Sequence, residues 1–576
     1  MEDCLKRRIP FWLAIAAATM VGTFAVPFLF PLKIPVFSPV YTAGGNNRIG
    51  ALVAAAVSVA ATLLCWRWRL FPQQPRQHAA QGNSMDRRLL WAAAGVVSLY
   101  AAVLGTLMVR NGMYYADAGY FLTQLRSGMV FHARLYRDVE FAYGPLLYLW
   151  PALFVRGLGL LHVSAGAAYV VSLCAMEAVG TAMLFYTVNA MPMRRAVKAA
   201  AFLTLSVVTL DPQEGLNYTA FRFVCSLAAL VLLSRQRTPW RAAAVAALAA
   251  FLTFAISPEM GVAFLAGAVV YSGYRAWTGS RAMLAIVPAA LGGAGVFSVL
   301  VGRDYFATLK EFANGGYNML LEPAPHIYLL LVCAVGLAPA VAAAALAEGR
   351  HARARASGNG LLLGTYMAGL ALLPAALGRC DPLHIAFNGW PVFLLSFVLL
   401  DSVRLRVRRV GLAVGLLFAG YSVAQEYALG SGWVKYLLLQ RPHPYDDVAL
   451  PRLQAVLQGS RVSFPWYSPM HNVDVLAAAG EYQPLYLCIP AVDDRAESRT
   501  VREMRLGQYA MAPRWYPLAG QNAINNDGLK FRLRFGYRYQ QRYAPHLQGL
   551  LLKQELEKNW QRVGTFGSYD LYRKER

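Results

Sequence analysis

The sequence predicts an α-helical polytopic membrane protein of thirteen transmembrane helices, followed by a small α/β domain outside the bilayer. Three observations carry that reading. Of 576 residues, 57% are hydrophobic and only 15% charged, with mean hydropathy +0.39, and a chain this apolar cannot cover itself with polar surface. Uncharged apolar runs near the ~17–25 residues that cross a bilayer recur from Pro10 to Tyr427 and then stop. Lys and Arg alternate between dense and sparse connections: with the N-terminus cytoplasmic, the inside connections carry 23 and the outside ones 10, the bias that orients membrane proteins.

Residues 1–66 read as a two-helix hairpin with spans near 10–31 and 49–65. The first follows Lys6, Arg7 and Arg8 as a signal peptide would, but it ends in Phe28-Leu29-Phe30-Pro31 without an Ala-x-Ala site, which predicts an uncleaved anchor. Residues 67–88, with Pro72-Gln-Gln-Pro75 and Gln81-Gly-Asn-Ser84, form a cytoplasmic linker whose composition cannot pack a core. The main transmembrane domain covers 89–427, with spans near 89–109, 163–187, 198–210, 218–234, 241–256, 260–273, 282–301, 327–347, 361–377, 387–402 and 410–427. Its longest polar connection, 110–162, falls outside. There Phe121, Leu122 and Leu125, then Leu146, Leu147, Leu149 and Trp150, lie among charges, which fits helices resting in the interface. Residues 428–576 are the extracytoplasmic α/β domain: an apolar strand at 485–489, a helix near 550–560, and a turn between two alternating runs in Val563-Gly-Thr-Phe-Gly-Ser-Tyr-Asp-Leu-Tyr572.

Composition also excludes. The formal charge of +24 comes mostly from inside-loop arginine facing anionic headgroups, so it does not point to nucleic acid. No Cys or His cluster has zinc spacing and no Gly-Lys-Ser/Thr phosphate loop occurs, which disfavours a bound metal and a nucleotide-driven pump. Of seven cysteines, only Cys380 and Cys488 would face an oxidising compartment.

The residues that could carry chemistry collect at outside span ends. Arg110, Arg126, Arg134, Arg137, Arg303, Lys310 and Arg379 stand against the inside bias. They could line a pocket for phosphate at headgroup depth, or bind lipid headgroups, or pair with Asp138, Glu140 and Glu311. Asp117, in Tyr114-Tyr-Ala-Asp-Ala-Gly-Tyr-Phe, meets the interface just past the third span, either as a general base or as the N-cap of a helix from Ala118. Asp211-Pro-Gln-Glu214, Ser257-Pro-Glu259 and Asp381-Pro382 each read as a cap followed by proline at the first helical position. Asp211, Glu259 and Asp381 are thus structural or acceptor-side candidates. Arg379 and His384 flank Asp381 and offer two phosphate donors beside one carboxylate. Arg222, four residues after Tyr218 within the sixth span, faces a cavity or partner, or else snorkels outward. The alternating Lys530-Phe-Arg-Leu-Arg-Phe-Gly-Tyr-Arg-Tyr539 is a solvated sheet face or a basic surface for lipid phosphate.

Several of these motifs together resemble a known family. Asp117-Ala-Gly-Tyr-Phe, Arg126-Ser-Gly128, Leu135-Tyr-Arg-Asp138 and Tyr143-Gly-Pro-Leu-Leu-Tyr148 through Gly157-Leu-Gly159 resemble the first outside loop of GT-C membrane glycosyltransferases. The pattern is nearest to bacterial relatives of protein O-mannosyltransferases and the aminoarabinose lipid A transferase. Gly378-Arg-x-Asp-Pro-x-His384 resembles a later outside motif of the same group. The resemblance implies an inverting transfer of one sugar from a polyprenyl-phosphate donor to a glycan, lipid or protein acceptor at the outer membrane face, among membrane lipids and with no cofactor. Asp117 would be the base, and Arg379, His384 and Arg137 would hold the departing phosphate. Ala118 stands where the family's second acid occurs, which implies metal-independent chemistry, and two extra spans precede the usual first one. A transporter or flippase would gather charge at the midplane in broken helices. A polysaccharide polymerase or ligase would also use outside arginines, and the Asp117 loop favours the transferase over both.

Overall fold

Proline writes the helix starts of this chain. Pro145, Pro239, Pro258, Pro325 and Pro382 each open a helix at its first turn, where the missing N–H is one the helix leaves unpaired anyway. The computed structural model that places them describes residues 2–30, 45–68, 141–208, 215–313, 323–348, 356–402, 450–460, 501–513 apart from 503, 550–566 and 569–575, with single positions among 88–139 and at 321, 462, 463 and 498.

The N-terminal pair is α1 (Glu2–Phe24) and α2 (Asn47–Arg67). Within the long loop lies α3 (Pro145–Gly159), followed by α4 (Ala165–Ala190) and α5 (Arg195–Val208). A 3-10 turn at Leu216–Tyr218 leads into α6 (Ala220–Ser234), then α7 (Pro239–Ile256), α8 (Pro258–Trp277), α9 (Ile286–Val301) and α10 (Arg303–Phe312). Helix α11 (Pro325–Leu331) continues through a π turn, Val332–Leu337, into α12 (Ala338–Glu348). Last come α13 (Ala356–Arg379), α14 (Pro382–Asn388) and α15 (Trp390–Ser402).

Among the described residues eight helices are long and apolar enough to cross a membrane, or nine if α14 and α15, bent by 64°, form one span. The chain is a multi-pass membrane protein. The count of thirteen is not reached among these residues, for two reasons. The expected spans at 89–109 and 410–427 lie essentially outside them. Of the others, α5 has only 14 residues, and α8 is long enough but interrupts its apolar run with Glu259, Tyr271, Tyr274 and Arg275. All eleven remaining expected spans fall on helices.

The helix ends segregate as the charge alternation predicts. At one end, Arg194 meets Asp401, Ser357 donates to Ser234 O, and Arg235 lies over Tyr186, 4.2 Å from its ring centre. At the other, Gly144 N donates to Ile256 O (3.1 Å), Asn47 reaches α13 and His326 reaches Cys380 O. This second end, where the long loop docks, is the loop end. Helices α8 and α13 pack along each other, as do α4 with α6, α7 with α9, and α2 with both α12 and α13. Gly180 of α4 lets the start of α6 approach, since a Cβ there would sit 2.1 Å from Phe221 N. Phe121, Leu122 and Leu125 are buried in this same core with Phe141 and Leu147. They do not rest in the lipid interface as expected, because the loop folds down onto the bundle and the bundle supplies the apolar partners.

The tail contains α16 (Leu450–Leu457), α17 (Leu550–Asn559) and a four-stranded sheet of β1 (Val462–Ser463), β2 (Tyr509–Pro513), β3 (Trp560–Phe566) and β4 (Tyr569–Lys574) in the order β1-β2-β4-β3. The β1–β2 pair is parallel and the others antiparallel. The β3–β4 hairpin closes at Phe566↔Tyr569, where the sequence places its turn. The segments 485–489 and 530–539, and Cys488, lie outside the described residues.

Candidate functional site

Two polar clusters meet at the loop end. The first is the corner between α13 and α14. Asp381 is the N-cap of α14: its Oδ1 accepts from His384 N at 2.8 Å, which satisfies one of the helix's open donors. The same carboxylate accepts from His384 Nδ1, 3.0 and 2.9 Å from its two oxygens, and lies 3.2 Å from Arg379 Nε. A carboxylate only accepts, so Nδ1 carries the proton. The other ring nitrogen, Nε2, is 3.0 Å from the Tyr218 hydroxyl. A neutral ring accepts there, and a protonated one donates. Burial pushes the Asp381 carboxyl up, but the charge and hydrogen bonds of His384 and the charge of Arg379 outweigh it and hold it well below the usual carboxylate range.

The second cluster surrounds Arg222, buried in the first turn of α6. Its guanidinium pairs with Glu259, donates from Nε to Ser257 Oγ (3.0 Å) and from Nη1 to Asn217 O. It also lies over the rings of Tyr143 and Phe223, 4.4 and 4.5 Å from their centres. Ser257 has the backbone position of an N-cap for α8, yet its hydroxyl serves Arg222 and makes no capping bond. Asn217 Nδ2 donates to the Tyr143 hydroxyl at 3.2 Å. The turn Leu216–Tyr218 joins the clusters, with Asn217 facing Arg222 and Tyr218 facing His384.

Glycine explains how the loop reaches this place. A Cβ on Gly144 would lie 2.2 Å from Ala255 O, so only glycine allows the backbone contact that seats Tyr143 over Arg222. Arg137 sits exposed on the turn 134–139, which docks on α10 through Thr308 and the Tyr136–Tyr305 ring contact at 5.0 Å. Arg134, Arg303 and Lys310 are also exposed, and Arg126 is half-buried. Asp117, Asp211 and Arg110 lie outside the described residues, as do Asp138 and Glu140.

Arg379, Asp381 and His384, close in the sequence, also meet through their side chains, while Asn47, Asn217, Glu177 and His326 join the two clusters and the helices around them without a motif to mark them. Glu177 had a legible signal, an acid inside an apolar run. It is buried on α4, with its carboxylate 3.4 Å from Ala220 N at the start of α6, where helix N–H groups favour negative charge. Among the described residues no group of three or more His, Cys, Asp or Glu side chains is arranged to hold a metal.

No protein-family model matches this sequence. No curated protein matches it either. Among solved structures it is similar to the cryo-EM structure of the arabinofuranosyltransferase AftD from Mycobacteria, at 15% identity and a TM-score of 0.46. The alignment covers 86% of this chain and 40% of that one, so the chain spans less than half the length of that protein.

Proposed function

We propose that this protein is a GT-C-type membrane glycosyltransferase that moves a sugar from a polyprenyl-phosphate donor to a glycan, lipid or protein acceptor at the extracytoplasmic face. One observation carries the reading: Arg379 and His384, which the motif resemblance assigns to the donor phosphate, share one carboxylate at the end of the bundle where the loop bearing the Asp117 motif docks. In this reading Asp117 takes the proton of the acceptor hydroxyl as its oxygen attacks the anomeric carbon. The bond from that carbon to the phosphate oxygen breaks, and polyprenyl phosphate leaves with the electron pair. Arg379 and His384, with Arg137, meet the charge that gathers on the phosphate. Asp381 keeps the arginine and the imidazole beside each other before substrate arrives, so little reorganisation is needed.

Arg222 has a different part. It donates to Glu259, Ser257 and Asn217, so the pair with Glu259 ties α6 to α8, and its face over Tyr143 seats the loop on them. Replacing Asp117 with Asn is expected to abolish transfer in membranes supplied with labelled polyprenyl-phosphate sugars while leaving expression intact. Retained transfer would remove Asp117 from the role of base. The donor is identified by lipid profiling of a deletion strain, in which the unused carrier accumulates.

A further inference from the structure

Helix α2 begins with Asn46-Asn47-Arg48, and all three side chains engage carbonyls of other segments. Asn46 Nδ2 donates to Phe30 O (3.2 Å), and Arg48 donates to Ala313 O just past α10. Asn47 Nδ2 donates to both Leu377 O (2.7 Å) and Gly378 O (2.8 Å). Those two carbonyls belong to the last turn of α13, where a helix has no N–H of its own to offer them. Helices that end this way usually place glycine in the left-handed position that follows. Here that residue is Cys380, at φ +47°, a conformation that costs any residue with a Cβ. Cys380 N donates to Ala376 O (3.1 Å), and its carbonyl lies 3.0 Å from His326 Nε2, which donates to it from the start of α11.

The backbone between Arg379 and Asp381 is therefore strained and clamped by side chains from two other elements. We propose that Asn47 of the N-terminal hairpin is a positioning residue for the Arg379–Asp381–His384 corner, acting through the left-handed Cys380. Its importance for activity rests on the reading of that corner as the phosphate-holding part of a transferase. The clamp itself does not. With Asn47 absent, the α13 carbonyls turn to water, Cys380 relaxes toward negative φ, and Arg379 swings away from the carboxylate it shares with His384.

Two measurements on the full chain in lipid nanodiscs test this. The first keeps Cys380 as the sole cysteine and follows its alkylation by a membrane-impermeant maleimide. Asn47→Ala and Asn47→Asp are each expected to speed labelling at least roughly tenfold, because the buried thiol becomes mobile with its turn. Ser58→Ala, which cuts the same helix's hydrogen bonds to Ala334 O and Tyr366, should leave the rate within about twofold. Unchanged labelling in both Asn47 variants overturns the proposal, and so does equal acceleration by Ser58→Ala. The second measures transfer. Asn47→Ala is expected to lower kcat with the acceptor KM nearly unchanged, and Cys380→Gly in the same chain should restore most of it, since glycine holds the left-handed turn without a clamp. Failure of that rescue overturns the positioning role. Absence of transfer from the wild-type chain sinks the transferase reading instead, and the labelling result still decides the clamp.

Discussion

Asp381 answers to three donors or charges at once: the backbone N–H of His384, which is the open start of α14, the ring of His384, and the guanidinium of Arg379. Because its folded carboxyl lies below the unfolded value of about 3.9, it contributes stability that is fully present above that pH and is lost as pH falls toward the depressed folded value. Asp381→Asn should therefore be less heat-stable than the wild type at pH 6, with the gap closing below about pH 4. Thermal melts across that range in nanodiscs read the crossover directly. Arg222 and Glu259 follow another rule, since removing the half-buried Glu259 leaves the buried Arg222 charge without its partner. Glu259→Gln is expected to destabilise by about 3 kcal/mol, while Arg222→Met combined with Glu259→Leu costs less than the two single changes together. A double-mutant cycle on thermal stability measures the coupling, and strict additivity would rule out the pair.

Elements here are defined as much by their interruptions as by their helices. Helix α6 begins only at Ala220, after the 3-10 turn that carries Asn217 and Tyr218, and the turn and helix together make the apolar 19-residue segment Leu216–Ser234, long enough to cross a membrane. Its first turn carries Arg222, which is buried among Glu259, Ser257, Asn217 and Tyr143. The π turn at Val332–Leu337 offers Ala334 O to Ser58 Oγ at 2.6 Å, so a widened turn coincides with a polar contact that ties α2 into the bundle. Gly144 is the element-scale point of failure. Gly144→Ala puts a methyl group against Ala255 O and should cost about 1–3 kcal/mol, with faster proteolysis of the loop preceding α3. Unaltered proteolysis in that variant would mean that the loop is seated by something other than this contact.

At the scale of the whole molecule, much was legible. Apolar runs placed eleven of the expected spans on described helices, because that signal is local and the bilayer enforces it. The β3–β4 hairpin and the proximity of Arg379, Asp381 and His384 were readable for the same reason, being neighbours in the chain. What only the tertiary structure decided are the partnerships across it: Tyr218 with His384, 166 positions apart, Arg222 with Glu259, 37 apart, and Asn47 with Leu377, 330 apart. In a soluble protein the polar face of a helix would have hinted at which side turns inward. In a membrane the lipid is as apolar as the interior, so hydropathy says where a helix lies but not how it is rotated, and rotation chooses which side chains meet.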